Sequence, residues 1–278
     1  MPASKHIPFI KASACGNVFL LVDGITSPED SVSLAHITRE LCDPKNGVGA
    51  DGVEWIYLPT DKTKADLRVR LFNADGGEAE ISGNGTRCVA MNYIMQHGGE
   101  FARIETAAGI KSCRLVHASS KQYEFETAMG VPKIESEYKR NHLGIDLNGV
   151  LLNMGNPQCV IFVDEFPDNW QALGAHIQAQ PQFPNGVNID FVRVTGPNSL
   201  DCRFFERGAG ETMSSGTGSC ASAVAAIHAN RVQSPVIVQA PGGSQTVRWD
   251  DSEGMTSSEV LLAGPAEIID RREFTLQQ

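Results

Sequence analysis

Residues 77–85 read GEAEISGNG, and residues 210–218, which lie 133 positions later, read GETMSSGTG. Both stretches fit the pattern Gly-Glu-x-x-x-Ser-Gly-x-Gly. Each leads into a segment of small and apolar residues, 86–96 in the first case and 219–230 in the second. A glycine turn that feeds a helix, present twice in one chain, predicts two related halves that each carry a helix start suited to binding a ligand.

A second pair of motifs supports an internal duplication. Gly16-Asn17 and Gly155-Asn156 each interrupt an apolar run that then resumes as a predicted strand. Their spacing of 139 residues differs from 133, which indicates small insertions since the halves diverged. The sequence therefore predicts an α+β fold in which several strands of each half surround a helix. We expect an N-terminal half over residues 1–131, with a tail at about 266–278, and a C-terminal half over residues 132–265. The polar residues 132–148 are predicted to form the linker.

Composition excludes several classes of function. The net charge is −10 and no basic run occurs, which disfavours a nucleic-acid partner because such binding relies on Lys and Arg. Seven scattered cysteines without a Cys-x-x-Cys motif disfavour both a disulfide framework and a zinc site, and they are typical of a reducing compartment. No apolar run resembles a signal peptide or a membrane span. We expect a cytoplasmic protein that uses no metal and does not enter a membrane.

The repeated stretch is suited to binding an anion. Its glycines let a ligand approach the backbone, and the free N–H groups of a helix start, together with the helix dipole, bind anions such as a carboxylate. The same groups would stabilise the negative charge that develops when an α-proton is removed from an amino acid. Alternatively, the glycines form ordinary turns and the serines cap the helices. The duplication, with its repeated upstream glutamate, favours a function.

Four motifs, three of which overlap the stretches above, carry a resemblance to the diaminopimelate epimerase family. They are NADG at 73–76, GNGTRC at 83–88, GNP at 155–157 and ERGAGET at 206–212. The resemblance runs in order from residue 9 to about residue 265. It implies a fold of two pseudo-symmetric halves, each a curled, mostly antiparallel sheet around a central helix. It also implies a homodimer that inverts an α-carbon without a cofactor, with LL- to meso-diaminopimelate, in the pathway to lysine and peptidoglycan precursors, as the leading reaction.

The resemblance also implies a set of substrate contacts. The binding positions of the family fall on Asn17, Asn73, Asn156, Asn188, Glu206 and Arg207, and its carboxylate-binding turns fall on Gly83-Asn84 and Gly216-Thr217. Such a set suits a zwitterionic amino acid, because Arg207 can bind a carboxylate in a fork and Glu206 can bind an ammonium group. Asparagines also stabilise turns through their side chains, which is the alternative for each of them.

The differences from the family concern proton transfer. The family uses two cysteines, one before each Gly-x-Gly, as base and acid on opposite faces of the α-carbon, and these catalytic positions are here Ser82 and Ser215. A serine hydroxyl needs a partner base, whereas a thiol at a helix start ionises readily. Val18 and Gln158 likewise stand where the family commonly has Asp and His. The chain thus keeps the residues that bind substrate and lacks four titratable groups.

Three interpretations of this pattern remain open. The serines act with a neighbouring base, for which Glu78, Glu211 and Asp75 are the candidates. A carboxylate base drives a related reaction, such as the isomerisations and dehydrations of other enzymes with this fold. The third possibility is a pseudoenzyme that binds an amino acid without turnover. Cys88 and Cys220 lie within the following helices, where we expect small buried fillers rather than substitute thiols.

Overall fold

A computed structural model describes residues 5–24, 30–119, 122–250 and 258–276. The chain divides into two compact units, Met1–Thr127 with Gly264–Gln278, and Ala128–Ala263. These boundaries differ from the predicted ones by four residues at the first junction and by two at the second. Among the described residues, no helix is both long and apolar enough to span a membrane.

The first unit contains two helices among short strands. Its elements are β1 (Lys5–Ala14), β2 (Asn17–Asp23), α1 (Ser31–Cys42), β3 (Gly52–Tyr57), β4 (Leu67–Asn73), β5 (Glu78–Ala79), α2 (Gly83–His97), β6 (Phe101–Thr106), β7 (Gly109–Ala118) and β8 (Tyr123–Ala128). Strand β2 pairs parallel with β3, and β4 pairs parallel with β6. The pairs β1–β2, β3–β4, β6–β7 and β7–β8 are antiparallel.

The second unit repeats this order. Its elements are β9 (Lys133–His142), β10 (Ile145–Asn153), β11 (Pro157–Phe162), α3 (Trp170–Gln178), β12 (Asn188–Gly196), β13 (Ser199–Glu206), β14 (Gly210–Thr212), α4 (Gly216–His228), β15 (Val236–Ala240), β16 (Gly243–Arg248) and the start of β17 (Leu261–Leu276). Again there are two parallel pairs. The pair β11–β12 comes before α4 in the chain, and the pair β13–β15 joins the strands on either side of α4 in the chain. The shared order confirms the predicted α+β fold and its internal duplication.

The helices α2 and α4 are the centres of the two units. Ten of the fifteen residues of α2 and nine of the thirteen residues of α4 are buried. Helix α4 is built almost wholly of Ala, Ser, Gly, Cys and Val, so strands can pack closely on all of its sides. Cys88 and Cys220 are fully buried in these helices, and burial raises the pKa of the Cys88 thiol far above its usual value. Both cysteines are therefore core residues, as expected.

Two sequence-based predictions need correction. The helices begin at Gly83 and Gly216, three residues before the predicted starts at 86 and 219, so the glycine motif is itself the first helical turn. The predicted linker at 132–148 is wrong, because β9 and β10 form an antiparallel pair there. Strand β9 buries Tyr138 and His142 on one face while its charged residues are mostly exposed, and its polar composition therefore resembled that of a loop.

Candidate active site

Ser82 and Ser215 are the N-caps of α2 and α4. Each has an extended backbone, and each Oγ accepts the N–H of the third glycine of its motif, Gly85 or Gly218, at 3.1 Å. The capping interpretation of the serines is therefore correct, and it is compatible with a chemical role. Since each Oγ accepts a hydrogen bond from its helix, its own proton is left for a separate acceptor. The two halves differ in whether the described residues supply that acceptor.

In the second unit the partner is a carboxylate. Ser215 Oγ donates to Glu206 Oε1 at 2.6 Å, and Ser215 is only 5% exposed. A serine hydroxyl with a carboxylate at this distance has the base that its chemistry requires. In the first unit, the described residues include no hydrogen-bond acceptor for the Ser82 hydroxyl. In the repeat, Asn73 takes the place of Glu206, and an amide cannot accept a proton from serine.

The first unit connects its predicted binding residues through a buried arginine. Asn84 Nδ2 donates to Asn17 Oδ1 at 2.7 Å, and the fully buried Arg87 donates to Asn84 Oδ1 and to the carbonyl of Gly83 at 3.3 Å. Arg87 thus holds both residues of the predicted Gly83-Asn84 turn by hydrogen bonds from the protein interior. Asn73 lies apart from this network, exposed at the end of β4, where its N–H closes a turn to the carbonyl of Gly77 at 2.9 Å.

The position taken by Val18 has a carboxylate close by. Asp51 Oδ2 accepts the Val18 N–H at 2.8 Å and the Asn17 side-chain amide at 3.3 Å. A carboxylate therefore lies beside Asn17 even though the family's aspartate is absent from the sequence at position 18. Its distance of 33 residues along the chain explains why the motif comparison did not indicate it.

In the second unit, Asn156, Gln158 and Thr217 form one cluster. Gln158 Nε2 donates to Asn156 Oδ1 at 2.7 Å and to Thr217 Oγ1 at 3.2 Å, and Asn156 Nδ2 lies 3.3 Å from the same hydroxyl. The cluster places two predicted binding residues together at the start of α4. Gln158, which replaces a histidine, orients them and has no titratable proton to transfer.

Asn188 and Arg207 are also connected by a hydrogen bond, which involves the backbone of Arg207. Asn188 Oδ1 accepts the Arg207 N–H at 2.8 Å, and its Nδ2 donates to the carbonyl of Pro157 at 3.3 Å. Asn188 therefore holds the loop that follows Glu206. The guanidinium of Arg207 is on the exposed side, where Nη1 donates to the carbonyl of Asn185 at 3.0 Å.

The three predicted surrogate bases have other partners. Glu78 accepts both Nε and Nη2 of Arg70 at 2.8 Å, and these hydrogen bonds lower its pKa. Glu211 accepts from Gln171 at 3.1 Å, and Asp75 accepts the N–H of Gly77 at 2.7 Å. The structure places Glu206, predicted only as a substrate contact, at the serine hydroxyl instead.

Two buried carboxyl groups escaped the sequence-based prediction. Glu54 in β3 is 2% exposed and Asp190 in β12 is 1% exposed. Neither Glu54 Oε1 nor either oxygen of Asp190 has a hydrogen-bond partner in the described parts of the chain. Burial raises the pKa of Glu54 to about 8, and burial followed by the charge of Glu206 raises the pKa of Asp190 well above its usual value. The sequence signal that could have indicated these buried acids is a single acidic residue among the apolar residues of each strand.

The two carboxyl groups occupy equivalent places. Glu54 is opposite Leu21 in the parallel pair β2–β3, and Asp190 is opposite Val160 in the parallel pair β11–β12. Each lies against the third glycine of the repeated motif in its own unit, Gly85 or Gly218. No group of three His, Cys, Asp or Glu side chains is arranged to hold a metal ion within the described ranges.

The repeated halves and their serine-capped helix starts define a fold that occurs among epimerases, racemases and isomerases. A hydroxyproline epimerase from Agrobacterium vitis matches with a TM-score of 0.72 and 14% identity, covering 98% of this chain and 92% of that one. A phenazine biosynthesis protein of Bacillus anthracis matches with a TM-score of 0.73 and 18% identity over 99% and 100% of the two chains. At such low identity, the likeness shows the fold alone.

Sequence comparison gives the family. The family model for diaminopimelate epimerase matches residues 9–135 and 150–269. A diaminopimelate epimerase of Pelotomaculum thermopropionicum is 36% identical over 96% of this chain and 98% of its own length. One of Desulfitobacterium hafniense is 33% identical over 94% and 95%. The chain belongs to the diaminopimelate epimerase family, as its motifs indicated.

Proposed function

We propose that this protein inverts the α-carbon of diaminopimelate between its LL and meso forms without a cofactor, with Ser82 and Ser215 each serving one face of that carbon. The observation that carries the proposal is the 2.6 Å hydrogen bond from Ser215 to Glu206. It supplies a base for a hydroxyl that could not otherwise remove a proton. Membership of the family and relatives named diaminopimelate epimerase support the choice of substrate.

The helix starts are suited to the charge that the reaction develops. The N–H groups of the first turns of α2 and α4, at Gly83-Asn84 and Gly216-Thr217, would bind the carboxylate attached to the reacting carbon. As the α-proton leaves, negative charge spreads onto that carboxylate and is stabilised by the same groups. The buried hydrogen bonds of Arg87 in one unit and Gln158 in the other would keep these turns in place.

The remaining contacts suit the second amino-acid head of the substrate. Arg207 has an exposed guanidinium whose backbone is held by Asn188, so it is available to a carboxylate. Asn17, Asn73 and Asn156 would add neutral hydrogen bonds. In the same proposal, the protein works in the cytoplasm as a homodimer. Glu206 serves Ser215 in proton transfer, a role that replaces the ammonium contact predicted from the sequence.

Deuterium exchange tests the function. Purified protein incubated with diaminopimelate in D₂O is expected to place deuterium on the α-carbon, as detected by mass spectrometry and proton NMR. Ser215→Ala keeps the fold but removes the hydroxyl, and it should abolish exchange from one stereoisomer. Measurable binding of diaminopimelate by the unaltered protein with no deuterium incorporation would contradict the proposal and indicate a pseudoenzyme.

A further inference from the structure

Glu54 is a buried acid beside the serine that lacks a base. It lies in β3 between Val53 and Trp55, both fully buried, and its Oε1 has no hydrogen-bond partner among the residues that the structure describes. Leaving a buried carboxyl oxygen unpaired is unfavourable, so the group calls for an explanation. The strand is otherwise apolar, and packing alone would be better served by an apolar side chain.

Gly85 shows how close Glu54 is to Ser82. A methyl group on Gly85 would lie 1.8 Å from Glu54 Oε1 and 3.3 Å from Ser82 Cβ, so these two atoms are separated by at most the sum of the distances, about 5.1 Å. A change of the Glu54 rotamer spans such a gap. A side chain at position 85 would collide with the Glu54 carboxyl group, so the glycine permits this close approach.

The second unit provides the comparison. There the serine at the helix start, Ser215, has a carboxylate from the end of β13, Glu206, at 2.6 Å. The first unit has Asn73 at the matching place in the repeat, which cannot take or supply a proton. A carboxyl group is nevertheless present beneath the helix start of the first unit, where it reaches the motif from β3. The second unit has the buried Asp190 at the place equivalent to Glu54, and Glu206 in addition, so Glu54 is the acid that the first unit offers to its serine.

We propose that Glu54 is the positioning residue of Ser82, holding the proton that replaces the one Ser82 passes to the substrate. The inference rests on the proposed epimerase function. It assigns to the first unit the role that Glu206 has in the second.

The proton transfers balance in each direction of the reaction. In one direction, the Cα–H bond breaks as Ser215 Oγ takes that proton and its own proton passes to the Glu206 carboxylate. The electron pair remains on the α-carbon and is stabilised through the attached carboxylate. A new Cα–H bond then forms on the other face with the Ser82 hydroxyl proton, which is replaced from the Glu54 carboxyl group. Glu206 ends protonated and Glu54 ends ionised, and exchange with water resets both.

Burial agrees with the protonated starting state of Glu54. Burial raises the pKa of Glu54 to about 8, so this carboxyl carries its proton at neutral pH. Glu206 accepts the Ser215 proton in a hydrogen bond, which is the arrangement of a base. Carboxyl groups in unlike environments are a recurrent way of dividing acid and base roles.

The test uses Glu54→Gln and Glu206→Gln with LL- and meso-diaminopimelate in D₂O. Glu54→Gln is expected to lower interconversion at least about 100-fold, the lower range for loss of a general acid or base. It should still exchange the α-proton of one stereoisomer, without inversion, because Ser215 and Glu206 remain intact. Glu206→Gln should show the opposite preference and exchange only the other stereoisomer. A merely structural role of Glu54 would not produce this stereochemical division.

Each result decides the inference. Interconversion by Glu54→Gln at the unaltered rate overturns it, and so does equal loss of exchange from both stereoisomers in a folded variant. No exchange by the unaltered protein overturns the proposed function, and the inference with it. If Glu54→Gln does not fold, NMR of unaltered protein labelled with ¹³C at its glutamate carboxyl groups gives the answer. One protonated glutamate at pH 7, which ionises near pH 8, supports the inference, whereas its absence contradicts it.

Discussion

Glu54→Gln should change how the stability of the protein depends on pH. The pKa of Glu54 is raised from 4.5 to about 8 by burial. Between these two values the folded state keeps a proton that the unfolded chain has released, so the free energy of unfolding falls as the pH rises. Glutamine has nearly the same shape and does not titrate. The variant should therefore lose this component of the pH dependence.

The magnitude follows from the size of the shift. Each pH unit within the window changes the free energy of unfolding by up to about 1.4 kcal/mol. From pH 6.0 to pH 7.5, the stability of Glu54→Gln relative to the unaltered protein should rise by about 2 kcal/mol. Above pH 8 the carboxyl group is ionised in both states, and the relative gain levels off. The absolute offset between the two proteins also contains the hydrogen bonding of the new amide, so the slope is the diagnostic quantity.

Urea unfolding at three pH values between 6.0 and 7.5 measures this slope. Glu100→Gln, at an exposed surface position, is the matched control and should follow the unaltered protein throughout. A constant difference between Glu54→Gln and the unaltered protein would refute the reasoning. It would mean that the Glu54 carboxyl group is ionised in the folded protein and holds no proton for Ser82.

Three other changes have defined outcomes. Gly85→Ala would place a methyl group 1.8 Å from Glu54 Oε1 and should destabilise the protein by about 1–3 kcal/mol in urea unfolding, and a Glu54→Ala background should remove most of this effect. Joint replacement of Ser82 and Ser215 by Cys should raise the rate of α-deuterium incorporation at least about tenfold, because a thiol at a helix start ionises far more readily than a hydroxyl; an unchanged rate would show that proton abstraction is not limiting. Asp190→Asn should become progressively more stable than the unaltered protein as the pH rises above 4, by the same proton linkage, and parallel pH profiles in urea unfolding would contradict the raised pKa of Asp190.

The repeat was sufficient to predict the paired halves and a helix start near each glycine motif, to within three residues, because glycine and serine there perform local tasks that sequence alone reveals. The partner of Ser215 was harder to predict. Glu206 precedes Ser215 by nine residues and reaches it only because β14 folds back on β13. The short distance between the two side chains therefore depends on the turn between these strands. The charged surface of β9 hid its buried face at Tyr138, and the strand was predicted as a linker.

The role of Glu54 could not be predicted from the sequence for a different reason. Strand β3 is buried along most of its length, yet the consequence for a carboxyl group within it depends on what packs above the strand. The space over Gly85 is formed by a helix that begins 29 residues after Glu54 in the chain. A charged residue flanked by apolar ones is a local signal of conflict, but only the packing shows that the oxygen has no partner and that Ser82 is near.

In the proposed mechanism, Ser82 and Ser215 transfer protons in place of thiols. The most direct test is the stereoisomer and isotope content of the product formed from LL-diaminopimelate by the unaltered protein in D₂O, analysed at early times by chiral chromatography with mass spectrometry. The mechanism predicts meso-diaminopimelate that carries one deuterium at the inverted carbon, since the proton added on the second face comes from groups in exchange with solvent. Recovery of unlabelled LL-diaminopimelate from a protein that binds it would contradict the claim.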